Sequence, residues 1–141
     1  MPQNTSPIFP LTPDIQWARI ASGNTAYDGT GQVSTIFSAS ASGSRLDYVK
    51  IRALGVNNSA SLMRFYVNNG LTNATAQNNS LFLEYALPTT TSSSTAEASA
   101  DYTLPFNIAL PAAYKLNAAL TITLTGSAGS GWQTTAIGGD Y

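Results

Sequence analysis

The chain has 141 residues, with six basic and seven acidic side chains, and only 9% of its residues are charged, against about 25% in an ordinary globular domain. It contains no histidine and no cysteine, which removes disulfides, thiolate or imidazole metal sites and most nucleophile–base pairs. Its cations are few and scattered, so they do not form the basic stripe that nucleic-acid phosphates require, and solubility falls to Ser, Thr and Asn.

The length suits one domain with one core. No apolar run approaches the roughly 20 residues needed to cross a bilayer, so no membrane partner is expected. The opening, MPQNTSPIFPLTPD, lacks the basic and apolar regions of a signal peptide, and the chain is expected to be made and used without export.

Residues 1–14 carry Pro2, Pro7, Pro10 and Pro13, which fix φ and remove four backbone donors. The segment is therefore expected to be extended, neither helix nor central strand. Its Ile8, Phe9 and Leu11 are apolar, and two readings fit them: a strap packed on the same domain, or an arm that docks on a neighbouring subunit.

From residue 15 the apolar period is two, the mark of strands with one buried face. Strands are expected over 15–20, 33–38, 45–54, 61–67, 81–87, 102–110, 116–124 and 132–137. Within 45–54 the phase breaks, Leu46 and Tyr48 lying on one parity and Val49, Ile51 and Ala53 on the other. A β-bulge near Tyr48-Val49 would reconcile them. Asp28-Gly29 and Asn69-Gly70 read as tight turns, and Pro105 predicts an edge or bulged position. Residues 72–80 and 89–99 read as polar loops, while Gly138-Gly139 reads as the place where the chain leaves the sheet. No stretch has a helical apolar stripe. The fold class expected is all-β, a jelly-roll-like antiparallel sandwich of roughly eight strands over 15–141, following the extended arm 1–14.

Chemistry-bearing groups are sparse. A paired-acid glycosidase would need two of Asp28, Asp47, Glu84, Asp101 and Asp140 to meet, and nothing in their spacing brings two onto one strand face. The YDGTG stretch has a single carboxylate and reads as a turn rather than a calcium loop. Asn-x-Ser/Thr sequons at Asn4, Asn57, Asn73 and Asn78 are expected by chance in a chain of this composition. Trp17 and Trp132 fit either a carbohydrate platform or, more naturally, core and interface positions. No catalytic residue, cofactor or metal is expected.

The stretches NTAYDGTG, VSTIFSASASGSRLDYVKIRALG, LMRFYVNNG, LFLEYALP, LPFNIALPAAYKLN and GWQTTAIGGDY resemble a group of small virion proteins of tailed bacteriophages, over about residues 17–141. The resemblance implies a capsid decoration, or cement, protein of jelly-roll type on the outside of the head, assembled in the bacterial cytoplasm, with the major capsid protein as partner and a homotrimer as the form. It transfers no catalytic residues. The contact residues expected on physical grounds are Ile8, Phe9, Leu11, Trp17, Trp132, Asp140 and Tyr141. The alternative is the host-surface, glycan-binding head of a tail fibre or spike.

Overall fold

A computed structural model describes residues 9–55, 58–91, 100–125 and 129–141. Eight strands follow one another: β1 (Thr12–Ile20), β2 (Ser34–Ser38), β3 (Ser44–Leu54), β4 (Ser61–Asn68), β5 (Asn79–Leu87), β6 (Asp101–Leu110), β7 (Lys115–Leu120) and β8 (Gly131–Asp140). Among the described residues the remaining regular element is a 3-10 turn at Ala76–Asn78, inside the expected loop 72–80. No helix among them is long and apolar enough to cross a membrane.

The strands form two four-stranded antiparallel sheets, ordered β1-β8-β3-β6 and β2-β7-β4-β5. Pairing is nested: β1 binds β8, β2 binds β7, β3 binds β6 and β4 binds β5. This order is the jelly roll, a long antiparallel ribbon wrapped so that consecutive strands alternate between sheets or cross over their ends. The all-β sandwich expected from the period-two pattern is therefore present.

Inward side chains of both sheets make the core. Trp132, Phe37, Phe65, Leu46, Ile51, Leu116 and Leu120 are fully buried, and each such aliphatic or aromatic side chain contributes about 1.5–3 kcal/mol relative to exposure. Phe65 meets Phe106 edge-on at 5.4 Å between ring centroids, tying β4 to β6 across the sandwich.

Bulges adjust the phase where the alternation fails. The register of β3 shifts between Leu46 and Tyr48 against both neighbours, so Leu46 faces the core before the shift and Val49, Ile51 and Ala53 after it. The shift lies at Asp47, just before the expected position. On β6 it sets Phe106 and Asn107 opposite one residue, and Asn107 takes φ 50°. Pro105 lies beside this bulge on an edge strand, where its missing N–H breaks no ladder.

Three boundaries differ from the sequence expectation by about three residues or more. β1 begins at Thr12 and includes Pro13 and Asp14, which is allowed because β1 is an edge. β7 ends at Leu120 although the alternation runs on to Leu124, because Thr121 and Leu124 turn to bond Leu62 and Ala21. The third concerns Gly138-Gly139, which does not release the chain: both residues pair within β8, between β1 and β3. Their role is close approach, since a Cβ on Gly138 would collide with the carbonyl of Arg45 and one on Gly139 would lie 2.7 Å from Pro10 Cβ.

Candidate functional site

The two sheets differ in what covers their outer faces. Outward from β2-β7-β4-β5, the β1–β2 connection folds back over Arg64 and Tyr66. The Arg64 guanidinium, 4% exposed, pairs with Glu84 at 2.6 Å, donates to the Thr25 carbonyl at 3.0 Å and lies 3.8 Å above the Tyr27 ring. Burial opposes its charge, but the Glu84 carboxylate offsets this and the net shift of the guanidinium pKa is upward. Tyr66 donates its hydroxyl to the Ala26 carbonyl at 2.8 Å, and burial raises its pKa above 10.0. Asn24 and Asn73 fasten the same connection through the carbonyls of Thr30, Gln32 and Gly31. This is a closed structural cluster. Arg64 and Glu84 face each other in the β4–β5 register, a pairing that neither segment shows by itself.

The outer face of β1-β8-β3-β6 has no such cover among the described residues. Register places three rows across it: Ile15, Ile137, Tyr48 and Pro105; then Trp17, Thr135, Lys50 and Thr103; then Arg19, Gln133, Arg52 and Asp101. Trp17 is 68% exposed and Ile15 53%. Aliphatic and aromatic groups thus fill one half of the face and cations the other, with Lys50 bonded to Asp101 at 3.1 Å. Within these three rows three cations stand against one acid, while Arg45 and Asp47 beside them pair with each other. Isolated exposed apolar residues are ordinary, but a contiguous group on a flat sheet face, bordered by arginines, has the composition of an interface.

The expected contact residues divide among different places. Trp17 stands on this face. Trp132 does not: it points inward from β8, fully buried, its ring 6.2 Å from that of Tyr102, so the two indoles do not form one surface platform. Phe9 and Leu11 are exposed beside the start of β1, and Leu11 donates its N–H to the Asp140 carbonyl at 2.7 Å. The Asp140 carboxylate accepts from the Ser44 hydroxyl, and Tyr141 donates its N–H to Gly43. These last two residues brace the end of the sandwich beneath residues 9–11. Ile8 lies outside the described residues, as do Asn4, Asn57 and the 92–99 part of the expected loop.

The acids weighed for catalysis are dispersed. Asp47 pairs with Arg45, Glu84 with Arg64 and Asp101 with Lys50, while Asp28 accepts from the Thr30 hydroxyl and N–H, which hold its pKa below 3.8. That carboxylate closes the turn expected at YDGTG, with Gly29 at φ 73°. Among the described residues no group of three or more Asp or Glu could hold a metal ion.

No protein-family model matches the chain, and no curated protein matches it. Four chains of solved structures do. One, titled as the structure of infectious bursal disease virus Gx strain, is 18% identical, with 98% of this chain and 36% of that chain covered and a TM-score of 0.31. Another, of the Gt strain of the same virus, is 17% identical over 92% of this chain and 32% of that chain, also with a TM-score of 0.31. This chain thus spans about a third of the length of the structures it matches. The fold assignment rests on the strand order and register above.

Proposed function

We propose that this chain is a structural component of a virus particle: a jelly-roll decoration protein that self-associates as a trimer and binds the major capsid protein on the outside of a bacteriophage head. The observation that carries the reading is the uncovered face of β1-β8-β3-β6, with Ile15, Trp17 and Tyr48 beside Arg19, Lys50 and Arg52. Rigid strands on a closed sandwich hold these side chains in a fixed plane, which suits a lattice contact that needs area and shape rather than chemistry. Jelly rolls also serve as lectins, so the fold supports the role only by analogy.

The test is to add purified protein to heads that lack it and to reconstruct the particles. The wild type should occupy regular lattice positions with the Trp17 face toward the capsid. A Trp17→Asp variant, and a Lys50→Gln, Arg52→Gln double variant, should stay folded and melt cooperatively yet leave those positions empty. Full occupancy by these variants, or density with that face turned to solvent, would overturn the reading.

Exposure of the Trp17 indole favours one alternative, a glycan-binding head on a tail fibre or spike, in which the ring would stack on a sugar. Burial of Trp132 weakens it by removing the second stacking surface. A glycan array separates the two: binding abolished by Trp17→Ala would select the alternative.

A further inference from the structure

The two sheets also meet along β5 and β6, the edge strands opposite β1 and β2, where the ring pairs Phe82–Phe106 and Tyr85–Tyr102 bridge them. At the other edge the Gln16 side chain closes the gap by bonding both the N–H and the carbonyl of Ser38, each at 2.9 Å. At the β5–β6 edge both strands bulge instead. Phe82 is the extra residue of β5, set between the pairs Phe65–Leu83 and Tyr66–Leu81, and Phe106-Asn107 form the bulge of β6. Beside them lies an open groove of about 320 Å³, lined by Val67, Phe82, Ile108, Leu110, Pro111 and Tyr114, with Ser80 at its rim. The volume is at the lower end for sites that take a small ligand, about 300–1,000 Å³, which is room for one or two large apolar side chains. Phe82, 46% exposed, forms one wall and stacks on Phe106 at 5.5 Å.

Phe9 and Leu11 are apolar groups that are 69% and 84% exposed among the described residues. They are nevertheless fixed in place: Leu11 is bonded to Asp140, and Pro10 lies against Gly139. Pro10, between Phe9 and Leu11, pre-sets φ and removes an N–H donor, as the prolines of a polyproline ligand do. Aromatic-walled grooves with little polar lining take such segments, because rings and prolines stack without demanding backbone partners.

We infer that the Phe9-Pro10-Leu11 segment of one copy seats in the β5–β6 groove of a second copy. The segment cannot serve its own groove. β1 and β6 are the two edges of one four-stranded sheet, about 14 Å apart at ~4.8 Å per strand, and Leu11 is tied to β8. Donor and acceptor lie at the same end of the sandwich, near the start of β1 and the end of β6, but on opposite edges. Each copy gives one segment and receives one, so contacts continue until a ring closes. The trimer of the proposed function is such a ring, and a reciprocal dimer would be the smallest. This supplies the self-association in the proposed function, and it is tested in solution, without heads, so its failure is distinct from failure of capsid binding.

The experiment uses the full chain and two variants that alter exposed positions. Phe9→Ser with Leu11→Ser removes the insert and leaves the groove, while Ser80→Arg fills the groove and leaves the insert. Sedimentation through the micromolar range should give a closed oligomer for the wild type and monomers for each variant alone. Mixed in equal amounts, the two variants should form a 1:1 dimer that grows no further, since one intact contact remains. With no native cysteine, Leu11→Cys in one copy and Ser80→Cys in another should also be joined by a short bis-maleimide linker. A monomeric wild type, variants that assemble as the wild type does, or a mixture that fails to pair would each overturn the inference.

Discussion

Ala113 shows how a single residue can sit against its own preference. Tyr114 donates its N–H to the Pro111 carbonyl at 3.1 Å, closing a turn between β6 and β7 in which Ala113 takes φ 66°. That is the third position of a type II turn, where glycine is favoured because an L side chain in the left-handed region costs roughly 1–2 kcal/mol. Ala113→Gly relieves this and gives back part of the gain as unfolded-chain entropy, so it should stabilise the protein by about 0.5–1 kcal/mol in urea denaturation. Tyr66 gives the pH dependence. Its buried hydroxyl holds a folded-state pKa above the unfolded 10.0, so its contribution is complete below about pH 10 and is lost as the pH rises further. Neither His nor Cys is present to titrate at intermediate pH. Melting temperature should therefore be flat from about pH 6 to 9 and fall above 10. In Tyr66→Phe the neutral start should be lower and the alkaline fall shallower. An unchanged alkaline limb in that variant would assign the fall to other groups.

At the scale of elements, the clasp from Gln16 to Ser38 joins two strands of different sheets by side chain alone. Gln16→Ala leaves two backbone groups of β2 to water. At a net of about 0.5–1.5 kcal/mol for each of the two bonds, the change should cost about 1–3 kcal/mol and speed amide exchange at Ser38. Exchange at Ser38 no faster than in the wild type would show that the edge is held by packing. The strands themselves were legible because each has one core face: Leu104, Phe106 and Leu110 alternate with exposed neighbours, and the phase break in β3 was enough to place a bulge. The misreadings occur where a local signal has two meanings. Gly138-Gly139 suggested an exit, yet in β8 the missing side chains admit Arg45 and Pro10. Leu124 kept the period of β7 while serving to anchor the β1–β2 connection. The candidate face was less visible than the strands. Trp17 could be named from the sequence, but its place beside Thr135 and Lys50 follows from a register spanning β1, β8 and β3, and no single segment contains that information.

For the whole molecule, the nested order makes the last strand central to the fold. β8 lies between β1 and β3, so one sheet exists only when residues far apart in the sequence, such as Thr12 and Asp140, have met. Pairings of this kind form late, after the loop entropy of everything between them has been overcome, whereas the β4–β5 pairing is local. Removing residues 131–141 takes out Trp132, Thr134 and Ala136 from the core and leaves β1 without a neighbour in its sheet. The shortened chain should lose its near-ultraviolet circular dichroism and its cooperative melting. Removing residues 1–11 has a different effect: of the described residues among them, Phe9 and Leu11 are exposed, and what is lost is the backbone bond from Leu11 to Asp140 and the contact of Pro10 with Gly139. That variant should still melt cooperatively and keep its near-ultraviolet circular dichroism, at the temperature of the monomeric Phe9→Ser, Leu11→Ser variant. Two truncations of equal length thus separate the closing strand of the sandwich from the segment that serves another copy. If the chain lacking residues 131–141 still melted cooperatively near the wild-type temperature, β8 would not be the strand that closes the fold.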